Sequence, residues 1–174
     1  MAEGETRRLN IMRMLSKAQH PLSGSELAKE FGVSRQVIVQ DIALLRAVDK
    51  NILSTNKGYL LYEPETANTK VKRSFAVCHT DEQMADELYT IIDYGGTVLD
   101  VVVEHEIYGQ ITVDLLLRKR ADINEFLKKI EQVFAKPLKE LTNGNHFHTV
   151  EADNEQTLEE IQRQLSKKGF LVEL

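Results

Sequence analysis

The run Ser23–Gln36 restricts the fold more than any other stretch, because it places two helix starts and one helix stop close together. Ser23 stands three residues before Glu26, and that spacing is a capping box, in which each side chain satisfies a backbone N–H left unpaired at a helix start. The helix it begins is read over Ser25–Phe31. Gly32 stops it, since a residue without Cβ takes the left-handed conformation at little cost, and Ser34 caps a further helix running to about Val48. An earlier helix is read over Thr6–Lys17 from Leu9, Ile11, Met12, Met14 and Leu15, ending at His20-Pro21. Helices joined by so short a turn cross steeply, so Ala28 is small where they touch, and Leu27, Val33, Ile38, Ile42 and Leu45 form their shared core. After Asn51 come two β-like runs, Ile52–Thr55 and Tyr59–Tyr62, joined through Asn56-Lys57-Gly58, which suits a tight turn.

The stretch Gly24–Gln36 resembles the helix-turn-helix of small bacterial repressors, and a hairpin directly after it is the arrangement of a wing. Once the core positions are assigned, Ser34, Arg35, Gln36, Val39 and Gln40 remain exposed at the start of the third helix. Arg and Gln there make bidentate contacts to purine edges in the major groove, while Ser34 and the helix N-terminus favour phosphate. Lys57 is either an ordinary hairpin lysine or a wing contact to phosphate that adds affinity without sequence information. Three packed helices with no ligand would share the small residues and the turn, but not the joint order of cap, turn, Arg-Gln start and wing. Charge agrees with DNA: residues 1–63 carry nine Lys or Arg against seven Asp or Glu (+2), and residues 64–174 carry thirteen against twenty (−7).

The polar segment Glu63–Thr69 contains one of the 3 prolines and interrupts the apolar pattern, so the expected domains are 1–63 and 70–174. Beyond it strands are read at Val71–His79, Thr97–His105, Ile111–Leu117, His146–Ala152 and Phe170–Leu174. Helices are read at Asp81–Tyr94, Asp122–Phe134 and Glu155–Lys168. The expected fold is an all-α winged helix-turn-helix domain followed by an α+β sandwich with a largely antiparallel sheet and helices on one face.

Of the 5 histidines, His79, His105, His146 and His148 lie in the second half and His20 in the first. His79 ends a strand, and the i, i+2 spacing of His146 and His148 sends both imidazoles to one strand face while Phe147 takes the other. Gly144, in the turn before them, permits close backbone approach. Glu87 lies on its helix beside Met84, Leu88 and Ile91, where a carboxylate is costly unless something neutralises it. Three imidazoles and one carboxylate suit Zn, Ni, Fe(II) or Co, with positions left open for a ligand. The same residues also fit loop-edge histidines and a snorkelling Glu87.

Cys78-His79-Thr80, Val103–Gly109 and Gly144–Thr149 give the second half a resemblance to a known family. It resembles the three-histidine domain found behind a helix-turn-helix in NiaR-type, nicotinic-acid-responsive repressors, which control NAD biosynthesis and niacin uptake. The resemblance covers nearly the whole chain and implies a divalent metal on His79, Glu87, His146 and His148. Glu106 departs from the proline often found there in the family. His105 and Tyr108, in the loop after the Thr97–His105 strand, are candidates to hydrogen-bond the effector, nicotinic acid; Tyr108 is otherwise a core aromatic with a wet hydroxyl.

Two other function classes compete. The metal could itself be the signal of a metal-responsive repressor, or it could activate water in a hydrolase. No zincin helix, nucleophile elbow or glycine-rich phosphate loop supports an enzyme. The apolar runs fall far short of the roughly 20 residues that span a bilayer, so no membrane partner is expected. The missing h-region and the single Cys78 agree with a cytoplasmic protein. One wing and one short helix read few bases, so a homodimer on a pseudo-palindromic operator is expected.

Overall fold

Three helices and a hairpin make up the first of the two units into which the chain divides, Met1–Glu65 and Thr66–Leu174. The computed structural model describes residues 3–49, 51–62, 69–133 and 136–173. Residues 63–68 of the expected boundary segment, Phe134 and Leu174 lie outside the described residues.

The first unit runs α1 Glu3–Lys17, α2 Gly24–Phe31, α3 Arg35–Val48, β1 Ile52–Thr55 and β2 Gly58–Leu61. The capping box forms reciprocally: the Ser23 hydroxyl accepts the Glu26 N–H at 3.1 Å, and Glu26 Oε2 accepts the Ser23 N–H at 2.6 Å. Gly32 takes φ 62°, and its N–H reaches the carbonyls of Ala28 and Lys29. The Ser34 hydroxyl accepts the Val37 N–H at 3.3 Å and opens α3. Ile11, Leu15, Leu27, Ala28, Ile38, Ile42 and Ile52 form the core, with Val33 and Leu45 packed partly buried against it. Asp41 is buried on α3 and is held by Arg7 Nε at 2.6 Å and Arg8 Nη1 at 3.2 Å, which docks α1 across α3.

The hairpin pairs Ile52 with Leu61 and Thr55 with Gly58, so the turn is Asn56-Lys57 and Gly58 belongs to the strand. Its second strand is also stitched to the segment before α2, because Leu22 and Tyr59 exchange N–H···O bonds of 2.8 Å each. That approach explains Gly58: at φ 136°, a Cβ would lie 2.4 Å from the Leu22 carbonyl oxygen.

The second unit runs β3 Val71–Cys78, α4 Met84–Asp93, β4 Thr97–His105, β5 Gly109–Leu117, α5 Arg120–Val133, a 3-10 turn Leu138–Thr142, β6 Asn145–Ala152 and α6 Glu155–Lys167. The sheet order is β3-β6-β4-β5 and every neighbouring pair is antiparallel. One face shares a core with all three helices through Phe75, Val77, Leu88, Ile123, Val150 and Ile161. β6, last in sequence among the strands, thus inserts between β3 and β4.

Several expected boundaries move for local reasons. α4 starts at Met84, not Asp81, because Thr80–Gln83 closes a turn in which the Thr80 N–H donates to Gln83 Oε1 at 3.0 Å. α5 starts at Arg120 because Asp122 Oδ2 accepts the N–H groups of Arg118 and Lys119 at 3.0 and 3.1 Å. The expected strand Phe170–Leu174 is a single bridge from Leu171 to Val77, flanked by Cys78 N–H to Phe170 O at 2.9 Å and Val172 N–H to Ala76 O at 2.9 Å. The 3-10 turn Leu138–Thr142 has no periodic signal in the sequence.

Candidate functional site

In the first unit the N-cap of α3 sets which side chains project. Arg35, Gln36 and Gln40 are exposed together with the capping Ser34, whereas Val39 is half-buried. Arg35 does not project freely from its root: its Cγ and Nε lie 3.5 Å from where a Cβ on Gly24 would stand. The absent side chain at Gly24 therefore gives the arginine stem a seat across the start of α2. Lys57 occupies the hairpin turn, half-buried, with its N–H donating to Thr55 Oγ1 at 3.2 Å.

In the second unit the fold brings four of the expected side chains together. His79 follows the end of β3, His146 and His148 project from one face of β6, and Glu87 lies in the first turn of α4. All four are buried, Glu87 completely. The rings of His79 and His146 have centroids 4.9 Å apart at 86°, and those of His146 and His148 4.9 Å apart at 87°. His79 Nε2 lies 3.5 Å from Glu87 Oε2, and His148 Nε2 lies 3.4 Å from Glu87 Oε1. The candidate ligand atoms of His79, Glu87 and His146 all fall within 4.8 Å of one another, and His148 joins this cluster through Glu87.

The other ring nitrogens decide the tautomers. His79 Nδ1 faces Thr80 O at 2.7 Å, His146 Nδ1 faces Gly144 O at 2.8 Å, and His148 Nδ1 faces Asp100 O at 2.7 Å. A carbonyl only accepts, so each Nδ1 carries the proton and donates it, and each neutral ring presents its Nε2 lone pair to the cluster. Meanwhile His79 Nε2 and both Glu87 carboxylate oxygens are buried with no hydrogen-bond partner among the described residues. A buried carboxylate left this way is costly unless a cation compensates it. The donor set and these orphaned atoms fit a divalent ion of the Zn, Ni, Fe(II) or Co kind.

The protein groups also polarise one another. Burial pushes the Glu87 carboxyl up, but the facing His148 and His79 imidazoles outweigh it and hold the pKa at about 2. Burial, reinforced by the nearby His148 charge, lowers His146 to about 4. Burial lowers His148 as well, yet Glu87 and the Asp100 carbonyl outweigh it and leave it above its ordinary value. Without a cation, the Glu87 charge is shared mainly with His148.

The histidine cluster opens on a cavity of about 180 Å³ walled by apolar side chains from α4, β4, β5 and α5, with Lys139 among its lining residues. His105 and Tyr108 are not among those residues. They lie at the β4–β5 hairpin tip, where His105 Nδ1 accepts the N–H groups of Ile107 and Tyr108 at 3.2 and 3.3 Å, and Tyr108 is 77% exposed rather than a core aromatic. Two contributors escaped sequence reasoning. Asp100 supplies the carbonyl that orients His148, and its side chain takes the Thr149 N–H at 2.9 Å. Its one signal was an isolated charge in the apolar run Val98–Val103. Lys139, buried in the 3-10 turn, had none.

A winged helix-turn-helix unit and an α+β unit with a buried histidine site define a two-domain DNA-binding regulator. The HTH domain family matches residues 7–60 and the 3H domain family matches residues 72–174. The chain is 42% identical over 164 residues to the probable transcription repressor NiaR of Thermotoga maritima, covering 94% of this chain and 92% of the relative. It is 38% identical over 170 residues to the transcription repressor NadR of Bacillus subtilis, covering 97% and 94%. The chain belongs to the NiaR-type family of transcription repressors built from an HTH and a 3H domain, and it is a regulator, not an enzyme. Among the described residues no helix is long and apolar enough to cross a membrane.

Proposed function

We propose that this chain represses genes of NAD biosynthesis and niacin uptake, and that its 3H domain senses nicotinic acid through a divalent metal on His79, Glu87, His146 and His148. The observation that carries the reading is the cluster of three imidazoles, each with Nδ1 committed to a carbonyl, around a buried carboxylate that lacks a hydrogen-bond partner among the described residues. Bound there, the metal supplies positive charge that draws an anion into an otherwise acidic domain. The chain's own residues do the rest. The carbonyls of Thr80, Gly144 and Asp100 hold the rings in orientation, and the apolar walls of the adjoining cavity exclude water from a ring-shaped ligand. That cavity favours an organic effector over a reading in which the metal alone is the signal.

On DNA, Arg35, Gln36, Val39 and Gln40 read base edges from α3, while Ser34 and Lys57 contact phosphate. A homodimer sets two such helices about 34–36 Å apart, or at a multiple of that spacing, on a pseudo-palindromic operator. The effector shifts operator affinity by the difference between its own affinities for the DNA-competent and incompetent states. The test is operator binding by the double variant His146→Ala, His148→Ala with and without nicotinate. Basal binding is expected to survive and the response to vanish. A metal-free variant that responds like the parent would leave the metal a structural role.

A further inference from the structure

The two edges of the four-stranded sheet are finished differently. A bare edge is a template for pairing with another chain, and proteins blunt such edges with lysine, proline or a covering segment. β3, at one edge, carries Lys72 and Arg73, and the segment after α6 closes its outer side through Cys78 N–H to Phe170 O and Val172 N–H to Ala76 O. β5, at the other edge, has none of these devices. Its 9 residues include no lysine, arginine or proline. Among the described residues it pairs only with β4, and no backbone hydrogen bond joins it to a segment outside the sheet.

What this edge presents fits a second copy of the same chain. Side chains alternate along a strand, so Ile111 shares the apolar face of Val113 and Leu115, which line the cavity, while Gln110, Thr112 and Asp114 share the other face. The regular stretch ends where Leu116 takes φ 54°, which leaves Gly109–Leu115 with Thr112 at its centre. Antiparallel pairing of that stretch with itself, about a two-fold axis at Thr112, sets like chemistry across from like. Thr112 faces its own copy, Asp114 faces Gln110 of the partner subunit, and Val113, 41% exposed in the single chain, is covered by Ile111 of the partner subunit. Charge agrees with this register. The hairpin tip at one end of β5 is acidic, with exposed Glu104 and Glu106, and the chain past its other end is basic, with exposed Arg118 and Lys119. A two-fold axis reverses the strand, so each acidic tip, with its exposed Ile107 and Tyr108, comes to the basic end of the other copy.

We infer that β5 is the edge at which two copies of this chain join, pairing antiparallel about Thr112 so that two four-stranded sheets become one continuous sheet. The inference rests on the homodimer of the proposed function and adds where the two chains meet and in which register.

The test is sedimentation equilibrium of the full chain, with the melting temperature of each variant recorded. The parent is expected to dimerise. Thr112→Lys brings two like charges face to face at the axis and is expected to weaken the dimer by about tenfold or more. Thr112→Cys is expected to give a disulfide-linked dimer on mild oxidation, because directly opposed strand residues hold their Cβ atoms about 4.5–5.5 Å apart. The parent, with Cys78 alone, and a Glu159→Cys variant on the exposed side of α6 are expected not to cross-link. If Thr112→Lys does not fold, Thr112→Cys decides alone. A parent dimer whose dissociation constant is unchanged by Thr112→Lys, or a Thr112→Cys variant that cross-links no better than Glu159→Cys, overturns the inference and puts the contact elsewhere. A parent that stays monomeric with and without operator DNA overturns the proposed homodimer itself, and this interface with it.

Discussion

Replacing Glu87 by Gln removes one negative charge while nearly preserving shape, which separates metal binding from packing at a fully buried position. In the parent, both carboxylate oxygens lack hydrogen-bond partners among the described residues and lie 3.4 and 3.5 Å from imidazole nitrogens of His148 and His79. A ligand that binds only the folded state stabilises it by about 2.7 kcal/mol when present at a hundredfold excess over its Kd. For a unit of this size that raises the melting temperature by about 10 °C. Groups one step removed from a metal weaken its binding by about 10–100-fold when altered, so loss of the one charged member of the proposed ligand set costs at least about a hundredfold. At the same metal concentration Glu87→Gln then retains about 0.4 kcal/mol, about 2 °C. The assay is thermal unfolding of chelator-stripped protein titrated with Zn(II), Ni(II) and Co(II). A Glu87→Gln shift equal to that of the parent, or no shift in the parent with any of these ions, would refute the reasoning.

Three further outcomes follow from the geometry. Arg35→Ala is expected to lower the preference for operator over random DNA by about 1–3 kcal/mol, the worth of one bidentate base contact, with melting and metal content unchanged; competition binding against random DNA checks it. Gly58→Ala is expected to destabilise the first unit by about 1–3 kcal/mol, because the new Cβ meets the Leu22 carbonyl at a positive φ, and calorimetric melting of the full chain measures it. Metal-free protein is expected to lose stability on acidification. The folded-state pKa values of His146, about 4, and Glu87, about 2, lie below their ordinary values of 6.5 and 4.5. The unfolded chain therefore takes up these protons first, and stability that is full above pH 6.5 falls as pH drops toward 4 and then 2. His148, raised by Glu87, works the other way: its contribution is complete below pH 6.5 and is lost as pH rises through its folded value. Unfolding midpoints in urea between pH 7.5 and 3.5 read both, and a midpoint constant from pH 6.5 to 4 would contradict the His146 assignment.

Much of the DNA-reading half was determined by the sequence alone, because its cues act over three or four residues. Ser23 with Glu26, Gly32, and Ser34 are each sufficient to start or stop a helix where they stand. The common face of His146 and His148 was legible for the same reason, since strand period 2 is a local property. Only the tertiary structure decided what those side chains meet. Helical spacing put Glu87 beside an apolar stripe but could not separate a snorkelling carboxylate from a completely buried one; packing under β6 made it the latter. The tautomer of His148 depends on the Asp100 carbonyl, 48 positions away, and that meeting exists because β6 inserts beside β4. His105 and Tyr108 read as effector contacts because they lie in the loop after the Thr97–His105 strand, within a family-like motif; the β4–β5 hairpin carries them to its tip, while Lys139 arrives at the cavity from a 3-10 turn with no periodic pattern. Asp41 with Arg7 and Arg8, and Gly58 with Leu22, are likewise contacts between segments distant in sequence. A linear pattern states which groups a segment offers. Which partner each one meets is set by chain crossings that minimise buried, unpaired polarity across the whole unit.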